Sequence, residues 1–96
     1  MSDKRPSEAL LGARRLENNL VQLTQQGKLK EAQSASRQLT GTYPDYAHGW
    51  YTASLLALRL KNPETAMAAI DRALTLRPAT TPWLLHRATC MVQLGQ

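Results

Sequence analysis

An all-α fold, built from antiparallel helical hairpins stacked side by side, is predicted by two patterns in the sequence. Apolar residues recur at steps of three and four through about five segments, as they do along one face of a helix. The chain also repeats itself at a spacing of 34 residues, which aligns Leu16 with Trp50 and Leu84, Ala32 with Ala66, and Pro44 with Pro78. No segment alternates apolar and polar residues over the length of a strand, so no sheet is predicted.

The first two predicted helices run from Glu8 to Gln26 and from Leu29 to Leu39. The apolar positions of the first helix are Leu10, Ala13, Leu16, Leu20 and Leu23. Gly27 is expected to end this helix, because glycine accepts the left-handed backbone conformation common just past a helix end. Gly41 and Pro44 are expected to end the second helix.

Three further helices are predicted from Tyr46 to Leu60, from Pro63 to about Leu76, and from Thr81 to Leu94. Asn62 before Pro63 is a typical start signal, with a side-chain oxygen that can cap the helix and a proline already set for its first turn. Thr81 followed by Pro82 repeats that signal at the fifth helix. Loops of about two to five residues join neighbours of this kind as antiparallel hairpins.

The repeated unit resembles the tetratricopeptide repeat (TPR), whose signature has Trp, Leu-Gly and Tyr on one helix and Ala, Phe and Pro on the next. Repeat two, residues 47–80, matches best, with Trp50, Ser54, Ala66, Ile70, Ala73 and Pro78. It departs from the family at Ala53, where Leu is usual, and at Ala57, where Tyr is usual. Trp50 is expected in the core.

Repeat one, residues 13–46, keeps Gly27, Ala32 and Pro44 but has Ser36 at the Phe position. A partial repeat three spans residues 81–96. The resemblance therefore assigns residues 8–96 to one TPR-like domain, preceded by a flexible amino-terminal segment of residues 1–7.

The resemblance implies a protein-binding scaffold whose first helices line a concave groove for a peptide or protein segment. The groove candidates are Arg14, Asn18, Val21, Gln25, His48, Tyr51, Thr52, Leu55, Arg59, Leu85, His86, Thr89 and Gln93. Tyr51 is the best single anchor, since tyrosine combines a large contact area with little loss of entropy. The alternative interpretation of Tyr51 is a partly exposed packing residue.

Some family members bind the carboxyl-terminal tails of heat-shock chaperones through Lys, Arg and Asn side chains on three helices. The corresponding positions here are Glu17, Val21, Thr52, Pro82 and His86. None of these matches, and Glu17 would repel a carboxylate, so the resemblance argues against a chaperone tail as the ligand.

The net charge of +5 permits an acidic partner. The basic residues include Lys4, Arg5, Arg14 and Arg15 near the start but are otherwise dispersed, and the sequence has no Phe for base stacking. Charge on solvated helix surfaces is thus favoured over nucleic-acid binding. The sequence has no membrane span and no apolar signal core, and it holds a lone cysteine, so we expect a cytoplasmic protein.

Candidates for chemistry are few. No Gly-rich phosphate loop, His-Glu-x-x-His or Cys-x-x-Cys motif is present. His86 and Cys90 are four residues apart, on one side of a helix, but two ligands do not make a metal site. We interpret them as a groove histidine beside a buried thiol, and expect no catalytic site, cofactor or metal in these residues.

The predicted fifth helix carries more apolar residues than one face can bury: Trp83, Leu84, Leu85, Ala88, Met91, Val92 and Leu94. Two explanations stay open. The natural chain continues past Gln96 and covers them, or the helix packs against a second copy or another protein. A continuation would also allow a second hypothesis, in which these residues are the amino-terminal docking or dimerisation region of a larger enzyme, such as a sulfotransferase or another transferase.

Overall fold

The computed structural model describes residues 6–95, which form five α-helices. Their bounds are α1 Pro6–Gln25, α2 Leu29–Thr42, α3 Ala47–Arg59, α4 Pro63–Leu76 and α5 Thr81–Gln93. Each helix packs against the next along the chain, and α1 also packs against α3. Residues 6–95 contain no strand. The predicted all-α class is confirmed.

The helix bounds differ from the predictions by more than one residue at two ends. Helix α1 begins at Pro6 rather than Glu8, so the predicted flexible segment loses its last two residues to the helix. Its other residues, Met1–Arg5, lie outside the described residues, as do the predicted basic residues among them. Helix α2 continues beyond Leu39 to Thr42. Gly41 therefore does not end it, because a helical glycine costs only about 1 kcal/mol and the packing of α2 outweighs that.

One of the two predicted helix caps is confirmed. Asn62 Oδ1 accepts the backbone N–H of Thr65 at 3.3 Å, as expected for α4. The cap predicted at Thr81 is wrong, since Thr80 occupies the N-cap position of α5 and makes no side-chain cap bond. Proline fits anywhere in a first turn, because those N–H groups lack an intrahelical acceptor. Pro82 therefore indicates the first turn of α5 but does not determine which residue is its N-cap.

The 34-residue periodicity of the sequence recurs in the backbone. At the end of the first helix of each hairpin, one residue takes a left-handed conformation: φ is 77° at Gly27, 60° at Lys61 and 81° at Gly95. Each of these residues donates its N–H to the carbonyl three positions earlier, at 3.1, 2.9 and 2.9 Å. The same turn thus closes α1, α3 and α5, although Lys61 adopts it against the steric cost of its Cβ.

The buried residues form two clusters that meet at α3. The first cluster lies between α1, α2 and α3 and consists of Ala13, Leu20, Ala32, Ala35, Leu39 and Leu56. The second lies between α3, α4 and α5 and consists of Ala47, Ala57, Ala66, Ile70, Ala73, Trp83 and Cys90. Many of these residues are alanine, and a short side chain lets neighbouring helices pack with their backbones close together.

Trp50 is not the core residue that the sequence predicted. It is half-buried and packs against the edge of the second cluster. Its indole N–H donates to Pro44 O at 2.8 Å, and the guanidinium of Arg72 lies 5.8 Å from the ring centre. The indole is large and amphipathic, and here its N–H reaches the α2–α3 loop instead of the interior.

Helix α5 buries one side only. Trp83 and Cys90 face the second cluster, whereas Leu84, Leu85 and Val92 are exposed. This agrees with the expectation that α5 has more apolar residues than one face can bury. None of the helices in residues 6–95 combines the length and the hydropathy needed to cross a lipid bilayer.

Candidate peptide-binding groove

The predicted groove residues belong to α1, α3 and α5, the first helix of each hairpin. Nine of them are exposed and available for contact: Arg14, Asn18, Gln25, His48, Leu55, Arg59, Leu85, Thr89 and Gln93. Val21, Tyr51 and His86 are half-buried, and Thr52 is buried. Side chains join these helices in sequence, α1 to α3 and α3 to α5, so the candidates share one composite surface.

A hydrogen-bonded network fixes α1 to α3. One carboxylate oxygen of Glu17 accepts a hydrogen bond from the Tyr46 hydroxyl. The other carboxylate oxygen lies 2.8 Å from the Thr52 hydroxyl. Burial and the hydrogen bond to Glu17 raise the pKa of Tyr46 to about 12. Thr52 is thus a structural residue, and its place among the direct ligand contacts is corrected. This network could not be predicted from the sequence, because Glu17 is far from Tyr46 and Thr52 along the chain.

A polar depression of about 560 Å³ lies at one end of the surface. Three groove candidates line it, namely Arg14, Asn18 and His48, and so do residues that the prediction missed, among them Asp45, Tyr46 and Arg77. The charged side chains that line it are the two guanidinium groups of Arg14 and Arg77 and the two carboxylates of Glu17 and Asp45, of which Glu17 is also hydrogen-bonded to Tyr46. At the other end, Gln93 lines a separate depression of about 480 Å³ with Leu58, Lys61 and Pro63.

Tyr51 is held in place by aromatic contacts with α5. Its ring stacks on Trp83 with centroids 5.4 Å apart, and it meets the edge of the His86 ring at 5.5 Å. Part of the tyrosine therefore packs inside the molecule, while the rest stays accessible. Exposed Leu55 lies one turn further along α3, and exposed Leu85 lies on α5 beside His86. These three side chains supply the apolar part of the surface.

His86 also takes part in a polar cluster under the surface. Its Nε2 lies 2.8 Å from Ser54 Oγ and 3.6 Å from the sulfur of Cys90, a free and fully buried thiol. Ser54 Oγ is 2.6 Å from Ala66 O, which can only accept, so the hydroxyl donates to that carbonyl and accepts the Nε2–H of a neutral imidazole. Sequence spacing identified His86 with Cys90 but missed Ser54. No group of three metal-binding side chains occurs within residues 6–95.

The burial of His86 makes the stability of the fold depend on pH. Burial lowers the pKa of His86 below its ordinary value of 6.5, so on acidification the unfolded chain takes up this proton before the folded chain does. The contribution of His86 to stability is therefore fully present well above pH 6.5 and is lost progressively as the pH falls below that value. We expect the midpoint of urea unfolding to drop between about pH 7.5 and pH 5.5, a range above the titration of ordinary carboxylates.

The variant His86→Gln tests this dependence, because its amide can still donate to Ser54 but does not titrate. It is expected to flatten the slope of stability against pH. The control His48→Gln makes the same change at the other histidine, which is exposed, and shows whether a flattened slope is specific to His86. An equal slope in wild type and His86→Gln would show that the pH dependence arises elsewhere.

The fold and this surface define an all-α array of helical hairpins that repeats every 34 residues. Comparison with models of known protein families finds no match, and comparison with curated proteins finds none either.

Proposed function

We propose that this chain is an interaction module of the TPR type, which binds a peptide or protein segment across α1, α3 and α5. The observation that carries the proposal is the exposure of two leucines at groove positions. Leu55, 43% exposed, lies one turn beyond Tyr51 on α3, and Leu85, 67% exposed, precedes His86, whose ring contacts that of Tyr51. Exposed apolar side chains near a tyrosine held in a fixed position favour a protein-binding surface, because tyrosine is among the residues that contribute most binding energy at interfaces.

The polar residues around this apolar patch suit a peptide backbone. Asn18 and Gln25 on α1 and Gln93 on α5 are exposed, and each amide can donate and accept hydrogen bonds. Arg14 and Arg59 are exposed at opposite ends of the groove positions. Together with the net charge of +5, they favour a ligand that carries acidic residues.

Selection from a displayed library of random peptides, followed by calorimetric titration, tests the proposal. We expect selected peptides to bind the wild-type chain, and Leu55→Glu to weaken that binding by about tenfold or more, since it places a charge in the apolar centre. The matched control is Leu84→Glu, which makes the same change at another exposed leucine, outside the groove positions of α5.

Two outcomes would contradict the groove. The first is a set of selected peptides that bind Leu55→Glu as tightly as wild type. The second is an equal loss in Leu55→Glu and Leu84→Glu while circular dichroism shows both variants folded, because the binding would then follow net charge.

A further inference from the structure

A second concavity lies on the side of α3 that faces away from the groove. It measures about 390 Å³, is lined by residues of α2, α3 and α4, and is open to solvent. Trp50, Ala53 and Ala57 line it from α3. Successive helical residues are turned by about 100°, so these three residues lie opposite the groove positions Tyr51 and Leu55.

This concavity exists because small residues stand where the repeat elsewhere has larger ones. Ser36 on α2 lines it and corresponds, at a shift of 34 residues, to Ile70, which is fully buried in the second cluster. Ala57 corresponds to Leu23 and Met91 at the same shift. Both smaller residues leave space beside α3, and this space opens to the surface between α2 and α4.

The walls and the rim of the concavity differ in chemistry. Its walls are mainly apolar, formed by the alanines with Leu56, Leu60 and the ring of Trp50. The guanidinium of Arg37 is exposed at the rim, and none of the residues that line the concavity is acidic. The guanidinium of Arg72 lies over the Trp50 ring, 5.8 Å from its centre, and adds a second positive charge nearby.

We propose that this concavity binds one large aliphatic side chain from an acidic peptide segment, at a site independent of the groove. Its volume is near the lower limit for ligand pockets, which suits a single side chain better than a larger group. The positive rim without an opposing carboxylate selects for acidic residues beside that side chain, and charge complementarity of this kind steers a partner into place.

The indole N–H of Trp50 reports on this site in a nuclear magnetic resonance titration. Trp83, the other tryptophan, lies between α3 and α5 and serves as an internal reference. The probe is a synthetic peptide with one leucine between two pairs of glutamates, and its counterpart has alanine at that position. We expect a saturable shift of the Trp50 signal with the leucine peptide, at a dissociation constant on the order of 1 mM or below, and no saturation with the alanine peptide.

Three variants test the location of the site. Ala53→Leu fills the concavity and is expected to abolish the shift. Ala68→Leu enlarges a side chain at an exposed position on the rim, so it is expected to abolish the shift as well, with little effect on stability. Arg37→Glu is expected to weaken binding by about tenfold. Arg15→Glu, an equal change of charge at an exposed position of α1, is expected to leave binding unchanged, and so is the groove variant Leu55→Glu.

The proposal is overturned if the leucine peptide gives no saturable shift of the Trp50 signal, or if folded Ala53→Leu and Ala68→Leu bind as wild type does. It is also overturned if Arg37→Glu and Arg15→Glu weaken binding equally, because the attraction would then be general. Loss of binding in Leu55→Glu would assign the peptide to the groove instead. The groove proposal stands or falls separately, on its own selected peptides.

Discussion

Replacing Trp83 with alanine is expected to destabilise the fold by about 4 kcal/mol, the largest effect that we anticipate for a single substitution. Trp83 is only 3% exposed and is the larger of the two α5 residues in the second cluster, the other being Cys90. Its ring stacks on Tyr51 and meets the edge of His48 with centroids 5.1 Å apart. The substitution removes a large buried ring and leaves a cavity between α3 and α5 that the helices can only partly close.

Urea unfolding followed by circular dichroism measures this loss. The matched control is Leu85→Ala on the same helix, which is expected to change stability by less than about 0.5 kcal/mol because that leucine is largely exposed. A loss below about 1 kcal/mol for Trp83→Ala would mean that α5 is not an integral part of the fold.

Leu39→Ala is expected to cost about 3 kcal/mol, and part of that loss should be recoverable at a second site. Leu39 is fully buried in the first cluster. It packs against Gly49 so closely that a Cβ built on the glycine would lie 3.1 Å from Leu39 Cγ and 3.2 Å from the Tyr46 ring. The glycine is thus what allows α2 and α3 to approach each other here.

The double variant Leu39→Ala/Gly49→Ala tests that contact. Alone, Gly49→Ala crowds Leu39, whereas in the shortened background its methyl enters the vacated space. We therefore expect the double variant to be more stable than the sum of the two single effects, by at least about 0.5 kcal/mol. Leu11→Ala/Gly49→Ala is the control pair, since Leu11 is exposed on α1 and should add independently. Additivity in the Leu39 pair would show that the two sites do not compete for space.

The sequence predicted the helices and their repetition well, because both depend on local signals. Apolar spacing determines which face of a helix is buried, and the Asn62–Pro63 pair marks the start of α4 directly. The end of α2 and the N-cap of α5 were predicted wrongly. Packing carried α2 through Gly41, and at α5 the cap lies one residue earlier than the Thr81–Pro82 pattern indicated.

The internal arrangement of the site could not be predicted, because it depends on side chains that meet across helices. Glu17 and Thr52 are 35 residues apart, and Ser54 and His86 are 32 apart, so no local spacing connects them. The family resemblance assigned Thr52 to the groove from its position in the repeat. It could not reveal that this side chain is buried, with its hydroxyl 2.8 Å from a carboxylate oxygen on α1.

Helix α3 is the only helix of residues 6–95 that contributes to both buried clusters, with Leu56 in one and Ala57 in the other. Because these two sequence neighbours belong to different clusters, loss of packing in either half of the molecule removes contacts from one side of α3. Unfolding that starts at α1 or at α5 is therefore expected to spread through this shared helix, and it would disorder both proposed binding surfaces on α3 together.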